Sequence, residues 1–313
     1  MVPQQQFDDT VAYGFQASTN WHQGSITARD REGASGQLKS TVQDCKWAFS
    51  VDPIVGWGDV GGRQRSTAGW LAAVPVLFEP HWQVLMAHGL ASGWIEWGGE
   101  RYTFKGAAAY AEKNWGGGFP SKWCWVQCNT FEGSEGTSVT TVGARRGLLN
   151  LPGVQEDVGL IGIHHQGKFY ELSPKDSTVS WDVDPWGRWV IEASNDEYEA
   201  VVTATCDAEA GTPLRAPTAD AGLAPFCKDS FAGEVRVQVW RTGSRQIVDD
   251  VDPIVDVRSE GKSGAVEVGG GPWFDGWKTR AKMAEPVRRL LNLPVDIEGL
   301  ADFLPAQLKP PGY

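Results

Sequence analysis

Apolar and polar residues alternate along most of this chain. The clearest case is Gly233–Trp240, where Val235, Val237 and Val239 are separated by Arg236 and Gln238. A period of two sends successive side chains to opposite faces of a strand, so the valines face a core and the polar residues face water. Thr178–Asp182 and Arg188–Ala193 read as strands joined by Asp184-Pro185-Trp186-Gly187, which has the chemistry of a turn. Tyr198–Cys206 reads as the next strand. Trp94–Trp97 and Arg101–Phe104 flank Gly98-Gly99 and read as a hairpin. Leu71–Phe78, among the longest apolar runs, has the length of a strand. No run reaches the roughly 18 apolar residues of a membrane-spanning helix. Helical spacing occurs only near the ends. Phe7, Val11 and Phe15 recur every fourth residue, and Glu285–Leu291 and Asp296–Leu304 carry a similar pattern before the Lys309-Pro310-Pro311-Gly312 tail.

Many short strands with Gly and Pro turns predict an all-β fold rather than a parallel α/β sheet. We expect two lipocalin-like antiparallel β-barrels packed together, with short helices near the termini. Residues 1–150 would form the first barrel, and residues 151–313 the second with a C-terminal helical tail. The division falls within 147–159, where Leu151-Pro152-Gly153 interrupts the pattern.

Composition narrows the picture. Of 313 residues, 41% are hydrophobic, enough for a packed core. The formal net charge of −11 repels phosphate backbones, so nucleic acid is a poor partner. Five cysteines without a CxxC pair read as buried free thiols of a reducing compartment. Met1–Phe7 is polar and does not read as a signal peptide. Sixteen tryptophans outnumber the twelve phenylalanines and six tyrosines. In a Gly-rich β chain they point to a lined cavity, with a sugar-binding surface or a heavy core as alternatives.

Familiar catalytic motifs are absent: there is no P-loop, GxGxxG, HExxH or GxSxG. His164 and His165 are adjacent, so on a strand their rings diverge and do not share a metal. What remains is acids beside tryptophans. Glu96 lies between Trp94 and Trp97, Glu112 precedes Trp115, and Asp59 follows Trp57-Gly58. A carboxyl against aromatic walls is desolvated and retains its proton, and aromatic faces stabilise a cation. That is equipment for protonating an alkene. The plainer alternative is core tryptophans alternating with surface acids.

Longer motifs add a resemblance. Glu79-Pro80-His81-Trp82-Gln83, Gly93-Trp94-Ile95-Glu96-Trp97, Glu112–Pro120, Lys122-Trp123, Trp125–Asn129 and Val268–Phe274 resemble, in order, the tocopherol cyclase family. Trp21–Gly24, Gly56–Gly61, Ser66–Trp70, Gly211–Thr218 and Lys309–Gly312 extend the likeness from about Phe15 to the C-terminus. The chain departs from the family in two ways: a further N-terminal stretch of strands is missing, and Cys124 stands where an aromatic residue is expected.

The resemblance implies acid-catalysed closure of a lipophilic prenylated hydroquinone, such as a dimethyl-phytyl-benzoquinol, to a chromanol. No redox step is involved and no cofactor or metal is required. It implies a peripheral protein at a lipid droplet or membrane surface in the chloroplast, on plastoglobules or thylakoids, with a cyanobacterial source as the alternative. A distant likeness to acyclic carotenoid hydratases puts Glu112 in the place of their acid, with Lys113 replacing a histidine. We therefore expect Glu112 as proton donor, Trp115 as its wall, and Asn114 and Lys113 beside it. His81, Trp82, Trp94, Glu96 and Trp97 are expected to contact substrate, as are Trp123, Trp125, Gln127, Asn129 and Asp59. Asp59 and Glu96 are the alternative donors. A lipocalin-like prenylquinol carrier and a carbohydrate-active protein remain rival readings.

Overall fold

The computed structural model describes residues 14–26, 44–59, 64–67, 80–147, 153–184, 186–218, 222–244, 251–271, 277, 280–282 and 305. Every named element among them is a strand. The expected helices at Glu285–Leu291 and Asp296–Leu304, and the strand at Leu71–Phe78, lie outside the described residues. Phe15, taken as helical, sits instead in a strand, β1 (Gly14–Ala17). An interval of four is also an even number, so the Phe7, Val11, Phe15 spacing suits one face of a strand as well as a helix.

The chain forms two compact units, Met1–Ile54 with His88–Tyr110, and Val55–Ala87 with Ala111–Tyr313. A five-stranded sheet runs through β1, β2 (Trp21–Ile26), β3 (Cys45–Val55), β4 (His81–Trp97) and β5 (Glu100–Trp115), in that order. The β4–β5 hairpin turns at Gly98 and Gly99, whose φ angles of 62° and 83° are open to glycine and suit a type I′ turn.

Twelve strands make the second sheet. They are β6 (Lys122–Cys128), β7 (Ser138–Gly147), β8 (Gln155–His165), β9 (Lys168–Leu172), β10 (Thr178–Asp184), β11 (Arg188–Ser194), β12 (Tyr198–Thr205), β13 (Thr212–Thr218), β14 (Gly222–Arg241), β15 (Val255–Arg258), β16 (Gly264–Gly269) and β17 (Ala281–Lys282). The order is β17-β10-β11-β12-β14-β16-β6-β7-β8-β9, with β13 and β15 paired to β14. The 147–159 stretch joins β7 to β8, which pair in register from Ser138 with His164 to Gly147 with Gln155.

β14 explains how this sheet curls. Its first half pairs with β16 and its second half with β12, and the register shifts between Ser230 and Gly233. Such an irregularity bends a strand and increases its twist. The curl brings β10 and β17 back against β8. The fully buried Trp181 of β10 then lies over Gly143 and Gly159, where a Cβ on Gly143 would come within 2.4 Å of the indole. Only a residue without a side chain admits that approach. Val126, Val139, Ile161, Ile163, Val237 and Val266 complete this core. Full burial of each is worth roughly 1.5–3 kcal/mol. All five cysteines are free thiols; Cys124, Cys128 and Cys227 are buried, and Cys45 and Cys206 half-buried.

Candidate active site

The other face of the same strands carries the candidate site. Cross-strand register aligns Asp229, Glu267, Trp125, Val142 and Leu160 in one row over β14, β16, β6, β7 and β8. The next row is Cys227, Gly269, Trp123, Ala144 and Val158. The third brings Arg146 opposite Glu156. Neighbours in sequence (Cys124, Val126, Val266, Val268) point the other way, into the core. Cys124, which replaces an expected aromatic residue, is therefore no part of the cavity wall.

These rows floor a cavity of about 140 Å³. Trp82, Glu112 and Asn114 line it from the ends of β4 and β5, with Ser66, Thr67 and Arg65 beside them. The 64–67 segment is fixed to β4 by buried hydrogen bonds. The Thr67 N–H donates to Gln83 Oε1 at 3.0 Å, and the Val84 N–H to Thr67 Oγ1 at 2.9 Å. Arg65 reaches Glu171 at 3.4 Å, and Glu171 and Lys175 also border the cavity.

Of the three carboxyls that line the cavity, Glu112 and Glu267 are each held by an indole. Glu112 Oε2 accepts from Trp82 Nε1 at 2.8 Å. Glu267 Oε1 accepts from Trp123 Nε1 at 2.6 Å. Gly269 makes the second bond achievable, since the Trp123 ring passes within 2.0 Å of where a Cβ would stand. Glu267 is half-buried, and desolvation pushes its carboxyl up from 4.5 to about 7. The Trp123 hydrogen bond opposes the rise, while the negative charges of Asp229 and Glu112 add to it. Burial also pushes Asp229 upward, and the Cys227 thiol up to about 12. Near neutral pH a carboxyl among the tryptophans of this cavity thus still holds its proton for a large share of the time.

Arg146 supplies a cation to the same wall. Its Nη2 donates to Glu156 Oε1 at 2.5 Å, and both residues are buried, at 5% and 6% exposure. A paired guanidinium at that depth is costly to uncouple.

Strand parity sorts the residues expected from sequence. Glu112, Asn114, Trp82, Trp123 and Trp125 line the cavity. Trp115, expected to wall Glu112, lies on the opposite face of β5. It stacks on His81, with centroids 5.0 Å apart and planes 6° from parallel, and Lys113 Nζ sits 4.9 Å from its ring. Gln127 is buried further along the Trp123–Trp125 face and does not reach the cavity, and neither do Asn129 and Asp59. Trp94, Glu96 and Trp97 belong to the other unit. There Arg101 stacks over Trp94 at 4.0 Å and pairs with Glu96 at 3.1 Å, while Trp97 is exposed.

Sequence reasoning missed Glu267. Its signal was a single acid in Ala265-Val266-Glu267-Val268-Gly269, which reads as a solvent-facing position of an alternating strand. That its face is covered follows only from strands more than a hundred residues away.

A family profile described as tocopherol cyclase-like matches residues 1–270. A rice protein (Oryza sativa subsp. japonica) named "Probable tocopherol cyclase, chloroplastic" is 47% identical over 311 residues, which cover 99% of this chain and 64% of that protein. The maize (Zea mays) "Tocopherol cyclase, chloroplastic" is 48% identical over 316 residues, covering 99% of this chain and 63% of its own. The chain thus spans a little under two thirds of the length of these relatives. A crystal structure of a Nitrosomonas europaea protein described as AttH overlays 82% of this chain and 68% of that one, at 15% identity and a TM-score of 0.39. That overlay is too slight to carry weight beside the sequence match. The profile covers most of the chain, so this chain belongs to the tocopherol cyclase-like family.

Proposed function

We propose that this chain acts as a tocopherol cyclase, closing a prenylated benzoquinol to a chromanol with Glu267 as the acid. One observation carries the reading: a carboxyl whose pKa is raised toward neutral stands on the wall of a Trp-lined cavity. Glu267 gives its proton to the less substituted carbon of the alkene nearest the ring. The tertiary cation that results is met by the faces of Trp82, Trp123 and Trp125. The neighbouring phenol oxygen captures it, a C–O bond forms, and the phenol proton leaves. One proton enters and one departs, so substrate and product are isomers and no electron carrier takes part. The names of the rice and maize relatives agree with this reading.

Size fits the ring and not the chain. An apolar cavity of roughly 150 Å³ holds one benzene. A space of about 140 Å³ therefore accommodates the quinol ring, and the prenyl chain extends beyond it. The quinol is drawn from a lipid surface, in a plastid if this chain shares the address of its relatives. Among the described residues no helix is long and apolar enough to cross a membrane. Flotation with liposomes tests peripheral attachment.

The decisive assay incubates the chain with reduced dimethyl-phytyl-benzoquinol and follows the chromanol chromatographically. Glu267→Gln should bind the quinol, seen as quenched Trp fluorescence, and lose about 10² to 10⁴ in turnover. Quinol binding without chromanol formation in the wild-type chain would favour the carrier reading.

A further inference from the structure

Ring closure releases a proton as well as consuming one, and the cavity holds a second carboxyl placed to receive it. We infer that Glu112 is the base that takes the phenol proton, so that one proton circulates between two carboxyls each anchored by an indole N–H. The inference rests on the ring-closure reading above.

Glu267 stands on β16 in the sheet floor, and Glu112 stands at the end of β5. Both line the same cavity. Trp123 Nε1 fixes one oxygen of Glu267 at 2.6 Å, and Trp82 Nε1 fixes one oxygen of Glu112 at 2.8 Å. Each carboxyl is thereby oriented by an uncharged donor. The charge of Glu112 is also felt at Glu267, where it favours the protonated form.

The atoms and electrons balance. The Glu267 O–H bond breaks and a C–H bond forms on the alkene, leaving a carboxylate and a tertiary cation. A phenol oxygen lone pair then forms the C–O bond, giving a protonated ether. That oxygen is a far stronger acid than a phenol, whose pKa is about 10. Its proton therefore passes to a nearby carboxylate without prior ionisation of the phenol. In this scheme the two glutamates carry one negative charge before the reaction, on Glu112, and one afterwards, on Glu267. The cation is formed facing fixed negative charge at every stage, the arrangement that stabilises it most. After product leaves, the proton returns from Glu112 to Glu267 through water.

The other charged groups about Glu267 suit the role less well. Asp229 and Cys227 are its neighbours on β14 and do not line the cavity, and the thiol keeps its proton. Arg146 faces the cavity from β7 and is bound to Glu156. Arg65, Glu171 and Lys175 also line the cavity, and Arg65 and Glu171 are paired.

The test uses Glu112→Gln and Glu112→Ala in the full chain with the reduced quinol, from pH 5 to pH 9. Glu112→Gln should bind quinol and lose about 10² to 10⁴ in kcat. The alkaline limb of its residual activity should move to lower pH, because a charge that held the proton on Glu267 is gone. Added formate should restore Glu112→Ala at least tenfold and leave the wild type unchanged. A kcat for Glu112→Gln within about threefold of wild type overturns the inference and leaves ring closure standing, since general-base removal costs more than that. A loss of kcat with neither the shifted limb nor formate rescue also overturns it, in favour of a structural role. No chromanol from the wild-type chain at any pH removes the ring-closure reading itself.

Discussion

Replacing Glu267 by glutamine should make the protein more stable at alkaline pH while disabling it. The carboxyl rises from 4.5 to about 7 on folding, chiefly through burial. Between those values the unfolded chain has released the proton and the folded chain still binds it. Stability therefore falls as pH climbs through this window, having been fully present below it. At about 1.36 kcal/mol per pH unit the loss by pH 8 is about 3 kcal/mol. Glutamine has nearly the same shape, accepts the Trp123 N–H through its own oxygen, and does not titrate. Urea unfolding of both proteins at pH 5 and pH 8 measures the effect. At pH 5, where Glu267 is protonated, the two should agree within about 1 kcal/mol, the usual scale of one hydrogen bond. At pH 8 the variant should lead by about 3 kcal/mol. Equal stabilities at both pH values would mean that Glu267 ionises normally, and the acid of the proposed mechanism would have to be sought elsewhere.

Three further outcomes follow from the same geometry. Trp123→Phe removes a hydrogen bond that favours the ionised form of Glu267, so the alkaline limb of the pH–rate profile should move to higher pH. Gly269→Ala places a methyl within 2.0 Å of the Trp123 ring; it should cost about 1–3 kcal/mol in thermal melts and lower turnover by displacing the indole from Glu267. Arg146→Met alone leaves Glu156 buried and uncompensated and should cost about 3–5 kcal/mol in denaturant melts, most of it recovered in Arg146→Met with Glu156→Leu.

Much of the fold was legible because its strands obey one simple rule. The run from Thr178 to Thr205 alternates cleanly, and its turns carry Pro, Gly and Asn, so β10, β11 and β12 stand almost where the pattern puts them. The β4–β5 hairpin was found at its turn, but its reach was not. Small residues such as Gly106, Ala107, Ala108 and Ala109 blur the alternation over much of β5. Glu112 was recognisable as an acid in Trp-rich surroundings. Its aromatic neighbour was misassigned because nearness in sequence stood in for nearness in space. Three residues along a strand reverse the face, which takes Trp115 away, while Trp82 reaches Glu112 from thirty residues upstream. Glu267 was invisible for a related reason: a solvated acid and a buried one look alike until the strands that cover them are known. The family likeness passed through Val268–Phe274, one residue beyond it.

The cavity floor and the core are two sides of one set of strands, and that couples the placement of the proposed acid to register. Sliding β16 by a single residue would turn Val266 and Val268 toward the cavity and drive Glu267 into the apolar interior against Val126. Such a slip would extinguish activity and solubility together, so no folded but inactive neighbour lies one step away. A single-residue deletion anywhere in β6, β7 or β16 should therefore be lost as aggregated protein rather than recovered as a slow enzyme. The valines that face away from the cavity act as the gauge that keeps Glu267 on the cavity side.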